Sequence, residues 1–159
     1  MKTKTLILTA LTAFIALVSL AAAAEQTREG YVEAVEPICK TNTEANEKIL
    51  GGVRQEVKAG KLKPAGAAFL KAAAALKKAS AQLAAVPQPA ADAAKLTKWL
   101  SYVKEEGKLF EKAGKALKAG QKTKAQTIVV ELTHNANLAN EQVFAFDFHY
   151  CQFEPSKFT

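Results

Sequence analysis

The chain contains two cysteines, Cys39 and Cys151, set 112 positions apart. Only a fold that returns the end of the chain to its beginning can join them. Joined, they close most of residues 25–159 into one loop, which the chain-entropy account values at about 4–5 kcal/mol. Whether they pair depends on compartment, because disulfides persist mainly outside the reducing cytosol. Pairing is the reading that follows from export; two separate buried thiols are the alternative.

The first residues speak to that compartment. Lys2 and Lys4 give a short positive stretch, and Leu6 to Leu20 is apolar apart from Thr9, Thr12 and Ser19. Ala21 to Ala24 follow, with Ala22 and Ala24 suited to the −3 and −1 positions of a signal-peptidase site. Residues 1–24 are therefore read as a signal peptide and 25–159 as one domain, secreted or held in the periplasm or cell envelope. An uncleaved anchor is the competing reading, since Leu6 to Ala24 is about 19 residues, just enough to span a bilayer.

Alanine, lysine, leucine and glutamate dominate the remainder, all good helix formers. Apolar residues recur at three- and four-residue steps in four segments. The first runs from Thr27 to Lys58 on Tyr31, Val35, Cys39 and Val53, with a kink or break expected at Pro37 and a weak point at Gly51-Gly52. The second runs from Pro64 to Val86 on Phe69, Leu76 and Leu83. The third runs from Pro89 or Ala90 to Lys118 on Leu96, Trp99, Val103 and Phe110, with Asp92 placed to complement its dipole. The fourth runs from Thr123 to about Phe146 on Ile128, Leu132, Ala136 and Val143. Short links predict an all-α protein, an antiparallel up-down-up-down four-helix bundle. Phe144, Phe146, Phe148 and Tyr150 then alternate with other residues at a strand's period. That alternation predicts a short extended C-terminal tail after a left-handed cap at Asp147, with Phe153 and Phe158 covering the first helix near Tyr31.

Charge is distributed in blocks. Residues 57–124 carry fifteen basic and four acidic groups, a net of +11, between two flanks of −3 each. Lys77, Lys78, Lys112 and Lys115 are candidates for a basic surface on the second and third helices. Such a surface attracts polyanions. Export makes an anionic envelope polymer or lipid headgroups better partners than nucleic acid. Scarce arginine and the lack of interleaved aromatics also argue against base stacking and bidentate phosphate recognition.

Asn42 and Asn46 share the stripe of Cys39, and Asn135 faces the interior with Asn140 nearby. Buried amides need hydrogen-bond partners. These four residues are read as a structural polar layer or as the lining of a ligand pocket between the first and fourth helices.

Catalytic and metal chemistry find little support. Glu131-Leu132-Thr133-His134 is half of a di-iron motif without its other half. There is no Cys-x-x-Cys-His for haem, no Gly-x-Ser-x-Gly and no phosphate loop around Gly51-Gly52 or Gly66. Glu105, Glu106 and Glu111 read as solvated partners of nearby lysines. No catalytic residue, metal ligand or cofactor is expected.

Tyr31-Val32, Ile38-Cys39, the Val86-Pro87-Gln88-Pro89-Ala90-Ala91-Asp92 turn before Trp99-Leu100, Ala139-Asn140 and Tyr150-Cys151 together form a pattern. It resembles uncharacterised exported bacterial helical-bundle proteins with one cysteine in the first helix and one at the C-terminus. The resemblance implies a bundle with a Cys39–Cys151 bridge and carries over no functional residue. The expectation is a non-enzymatic exported protein, structural or ligand-binding. A polyanion- or membrane-surface-associating protein is the second reading, and a metal-binding bundle a distant third.

Overall fold

A computed structural model describes residues 26–154. The leader, the anchor alternative and Phe158 lie outside the described residues. The described chain is all-α, with four long helices, one short helix, two 3-10 turns and no strand among the described residues.

Helix α1 spans Arg28–Leu50 and starts at an N-cap where the Thr27 hydroxyl accepts a hydrogen bond from the Gly30 amide at 3.0 Å. It passes through Pro37 as one helix, so of the kink or break expected there the break does not occur. Pro37 and Glu33 are both exposed, so the carbonyl that loses its donor stays in water. The helix is also tied down on either side of Pro37, at Arg28 and at Cys39. The chain breaks instead at Gly51-Gly52, where Gly52 adopts φ +87°, a left-handed backbone that suits glycine. The short helix α2, Val53–Lys58, follows.

Helix α3 is Leu62–Ala84, α4 is Ala93–Lys118 after a 3-10 turn at Ala90–Asp92, and α5 is Lys122–Val143 before a second 3-10 turn at Phe144–Phe146. Helix α1 packs on α3, α3 on α4, and α4 on α5. The closest approach joins α3 and α4. A Cβ on Gly66 would lie 2.7 Å from the Gly114 carbonyl oxygen, and one on Gly114 would lie 2.9 Å from that of Gly66. Farther along the same interface Phe69 meets Phe110 with ring centroids 5.5 Å apart, and Leu76 faces Gly107.

The apolar stripes read from the sequence face inward: Tyr31, Val35, Phe69, Leu76, Leu96, Trp99, Val103, Leu132 and Val143 are buried. Burial of such side chains is the main stabilising term in a domain of this size. The N-terminal end of α1 is pinned to the start of α4 by Arg28 and Asp92. Arg28 Nε and Nη2 donate to Asp92 Oδ2 and Oδ1 at 2.9 and 2.7 Å, a two-pronged pair. Arg28 also lies over the Phe146 ring, 5.0 Å from its centroid.

The tail departs from expectation. It is bent and turned, not a strand, and its amides at 149–151 go to a side chain, Glu36. Asp147 does adopt the left-handed conformation, at φ 50°. With the 3-10 turn before it, that residue aims both Phe146 and Phe148 inward. The alternation of aromatics therefore marks a compact turn. Phe146 stacks on Phe148, Phe148 meets Trp99, and Phe146 is the edge-on neighbour of Tyr31.

Candidate functional site

Cys39 and Cys151 are bonded, with an S–S distance of 2.02 Å and Cα atoms 5.1 Å apart. The bond is one of several ties that hold the tail. The second is Glu36, whose carboxylate accepts from three successive tail amides: His149 at 2.9 Å, Tyr150 at 3.0 Å and Cys151 at 3.3 Å. Curled backbone that points consecutive amides at one spot forms an anion-binding nest, here filled by the chain's own carboxylate. The third is Asn140 on α5. It donates to the Phe153 carbonyl at 3.0 Å and accepts from the Phe153 amide at 2.9 Å. The tail thus runs from α5 to α1, bonded to both, and closes the side between them. Phe153 is fixed by Asn140, and Tyr31 meets Phe146.

Behind this strap lies a cavity of about 380 Å³. Its walls are α1 from Cys39 to Glu47, the inner faces of α3, α4 and α5, and the tail. Such a volume lies within the range of small-molecule sites, roughly 300–1,000 Å³. Phe69, Trp99, Phe110 and Leu132 are among the apolar residues of the wall.

The four candidate amides do not form one layer. Asn42 and Asn46 meet each other, Asn46 Nδ2 donating to Asn42 Oδ1 at 3.4 Å, and both line the cavity. Asn135 lies elsewhere, on α5 against α4, and Asn140 serves the tail. The separation has a simple cause: α1 and α5 are joined through the tail and not packed stripe to stripe, so amides on their facing stripes cannot pair.

Asn135 instead meets a residue read from the sequence as surface. Glu106 is buried, 3 % exposed, and its Oε2 accepts from Asn135 Nδ2 at 2.7 Å. The same Nδ2 donates to the Tyr102 carbonyl at 3.0 Å. Burial pushes the Glu106 carboxyl up to about 7, opposed by the Asn135 hydrogen bond. The sequence did hold the signal: Trp99, Val103, Glu106 and Phe110 follow at four-, three- and four-residue steps, which puts Glu106 on the apolar stripe. Glu105 and Glu111, by contrast, do pair with lysines at the surface.

Two polar atoms on the cavity-lining residues lack partners among the described residues. They are Asn46 Oδ1, an acceptor, and Trp99 Nε1, a donor. Buried polar groups are nearly always satisfied in native proteins, so an unpaired acceptor on α1 and an unpaired donor on α4, both on residues of the cavity lining, favour a guest with polar atoms. No three His, Cys, Asp or Glu side chains among the described residues come together as a metal site. No helix among the described residues is long and apolar enough to cross a membrane.

Lys77, Lys78, Lys112 and Lys115 are all exposed. Glu111 bonds Lys115 and feels the charge of Lys77, so the lysine faces of α3 and α4 meet along this edge. Lys112 lies 3.7 Å from Glu105.

No protein-family model, curated protein or solved structure matches the chain.

Proposed function

We propose that the protein is an exported, non-enzymatic ligand-binding bundle that holds a small molecule in the cavity behind the tail. In this reading residues 1–24 are the leader and the helices run up-down-up-down. Pairings in opposite chain order, Gly66 with Gly114, Phe69 with Phe110 and Leu76 with Gly107, support that arrangement. The observation that carries the reading is the cavity of about 380 Å³, two of whose lining residues, Asn46 and Trp99, hold an unpaired buried polar atom.

Trp99 is the only tryptophan, so its fluorescence reports the cavity directly. Titration with the neutral apolar probe N-phenyl-1-naphthylamine should quench Trp99 at one probe per chain. Ala79 is buried and lines the cavity, and Ala79→Phe should fill it and remove binding while thermal unfolding stays cooperative. Unchanged binding in that variant would discard the reading, as would failure in the parent of this probe and of charged and neutral naphthyl probes alike.

A second reading, association with anionic envelope polymer or lipid headgroups, draws on the exposed lysines where α3 meets α4. Glu105 and Glu111 offset part of that charge. Changing Lys77, Lys78, Lys112 and Lys115 together to Gln should then abolish sedimentation with anionic vesicles at low salt, where exposed charges act over longer distances.

A further inference from the structure

The chain as a whole carries +7, yet the cavity wall has the opposite character. Its charged lining residues are Glu44 and Glu47 on α1, Glu106 on α4 and Glu154 on the tail, with His149 beside them; no lysine or arginine lines it among the described residues. Three separate elements supply these carboxyls, so the bias does not come from one acidic helix.

Glu106 is the deepest of them and makes no ion pair among the described residues. A buried carboxylate is costly until a positive charge meets it. Around it the wall is aromatic, with Phe69, Trp99 and Phe110 from the helices and Tyr150 from the tail. Aromatic faces attract cations, more strongly where water is excluded. Asn46, 6 % exposed, adds an independent sign: its Oδ1 is an unpaired acceptor that an N–H donor satisfies. Trp99 Nε1 asks for one acceptor on the guest. Among the described residues the carboxyls do not converge in threes, which suits a single ammonium meeting one carboxyl and an amide oxygen.

We propose that the cavity selects an organic cation, a protonated amine on an apolar body that also bears one acceptor atom. Glu106 and Asn46 take the ammonium hydrogens, the aromatic rings cover the body, and Glu44 draws the cation to the mouth. The proposal rests on the cavity being a binding site and adds the charge of the guest.

Calorimetry with three probes of one shape tests it: 1-naphthylmethylammonium, 1-naphthalenemethanol and 1-naphthoate, titrated into the mature chain at pH 7.5. The ammonium should bind at least about tenfold more tightly than the alcohol, as a charge-assisted hydrogen bond outweighs a neutral one. The naphthoate should bind least. Glu106→Gln should bring the ammonium down to the level of the alcohol and leave the alcohol within about twofold, because Gln keeps an acceptor for Asn135. Glu44→Gln is a second variant on the exposed face of α1, and it should weaken the ammonium alone.

At pH 6 ammonium binding should also release protons from Glu106, read from the heats in buffers of different ionisation enthalpy. The titratable groups facing Glu106 across the cavity are Glu44 and Glu47 from α1 and His149, Tyr150 and Glu154 from the tail; α3 and α5 present none. The same release in Glu106→Gln would assign the protons to those groups and count against the proposal. An alcohol that binds as tightly as the ammonium overturns the charge selectivity and leaves the cavity reading standing. So does N-phenyl-1-naphthylamine binding where none of the three naphthyl probes does. Failure of all four probes overturns both.

Discussion

At the scale of single residues, two buried carboxyls pull the pH dependence of stability in opposite directions. Arg28 holds the Asp92 carboxyl below its ordinary value, by hydrogen bond first and charge second. That pair stabilises the fold above the carboxylate range and is lost as pH falls through it. Glu106 behaves in reverse. Its folded-state value of about 7 lies above the ordinary 4.5, so the native state binds the proton more tightly than the unfolded chain. Stability from this group is full below pH 4.5 and is lost as pH rises through 7, by about 3 kcal/mol in all. The melting temperature should therefore peak on the acid side of neutrality. Glu106→Gln should raise it at pH 8 and change it little at pH 5. An equal effect of the substitution at both values would show that Glu106 is not held neutral by burial. These two residues also show how far the sequence was legible at this scale. Glu106 sits on a countable apolar stripe, and a carboxyl there can be found by periodicity alone. Arg28 and Asp92 are 64 positions apart, and no local pattern announces their meeting.

At the scale of elements, the helices were readable to within a few residues, because each stripe repeats over several turns and averages out local exceptions. The exceptions were decided by contacts far away in sequence. Pro37 lowers helix propensity locally, but Arg28 on one side and Cys39 on the other hold α1 in place. The tail's aromatic alternation has the period of a strand, and only the Glu36 carboxylate, 113 to 115 positions earlier, shows where its amides go. Glu36→Ala should remove those acceptors and cost about 1.5–3 kcal/mol, the range for hydrogen bonds to charged groups. Hydrogen exchange should then accelerate at residues 149–151 and not in α3 or α4. Exchange that stays slow would mean the strap is fixed without Glu36, by the disulfide and Asn140. The α3–α4 contact gives a second test. Gly66→Ala sets a methyl 2.7 Å from the Gly114 carbonyl oxygen and 2.8 Å from the Lys118 nitrogen, both backbone atoms that cannot swing aside. The helices must separate, and overpacking of this kind costs about 1–3 kcal/mol. Gly52→Ala meets open space and strains only its own left-handed backbone, so it should cost less. A thermal melt of the two variants side by side would distinguish them.

At the scale of the whole molecule, the disulfide does more than constrain the unfolded chain. It closes a loop of 112 positions, and it also holds the strap that walls the cavity. These roles separate experimentally. Cys39→Ser with Cys151→Ser removes the cross-link, and loss of a native disulfide typically costs about 2–5 kcal/mol of stability. The helices keep their stripes and the α3–α4 contact, so far-ultraviolet circular dichroism should still show a helical protein well below its lowered melting temperature. Glu36 and Asn140 still grip the tail in that variant, at Tyr150 and at Phe153, on either side of the missing bond. The strap should therefore open transiently without detaching. Faster escape of the guest follows, with the rate of entry less affected, since mutational changes in affinity fall mostly on dissociation. Stopped-flow release of N-phenyl-1-naphthylamine, read through Trp99, measures this directly. Combining the double Ser variant with Glu36→Ala should accelerate release beyond either change alone. Release as slow as in the oxidised parent would show that the guest enters and leaves by another face, and that Cys39–Cys151 serves stability only.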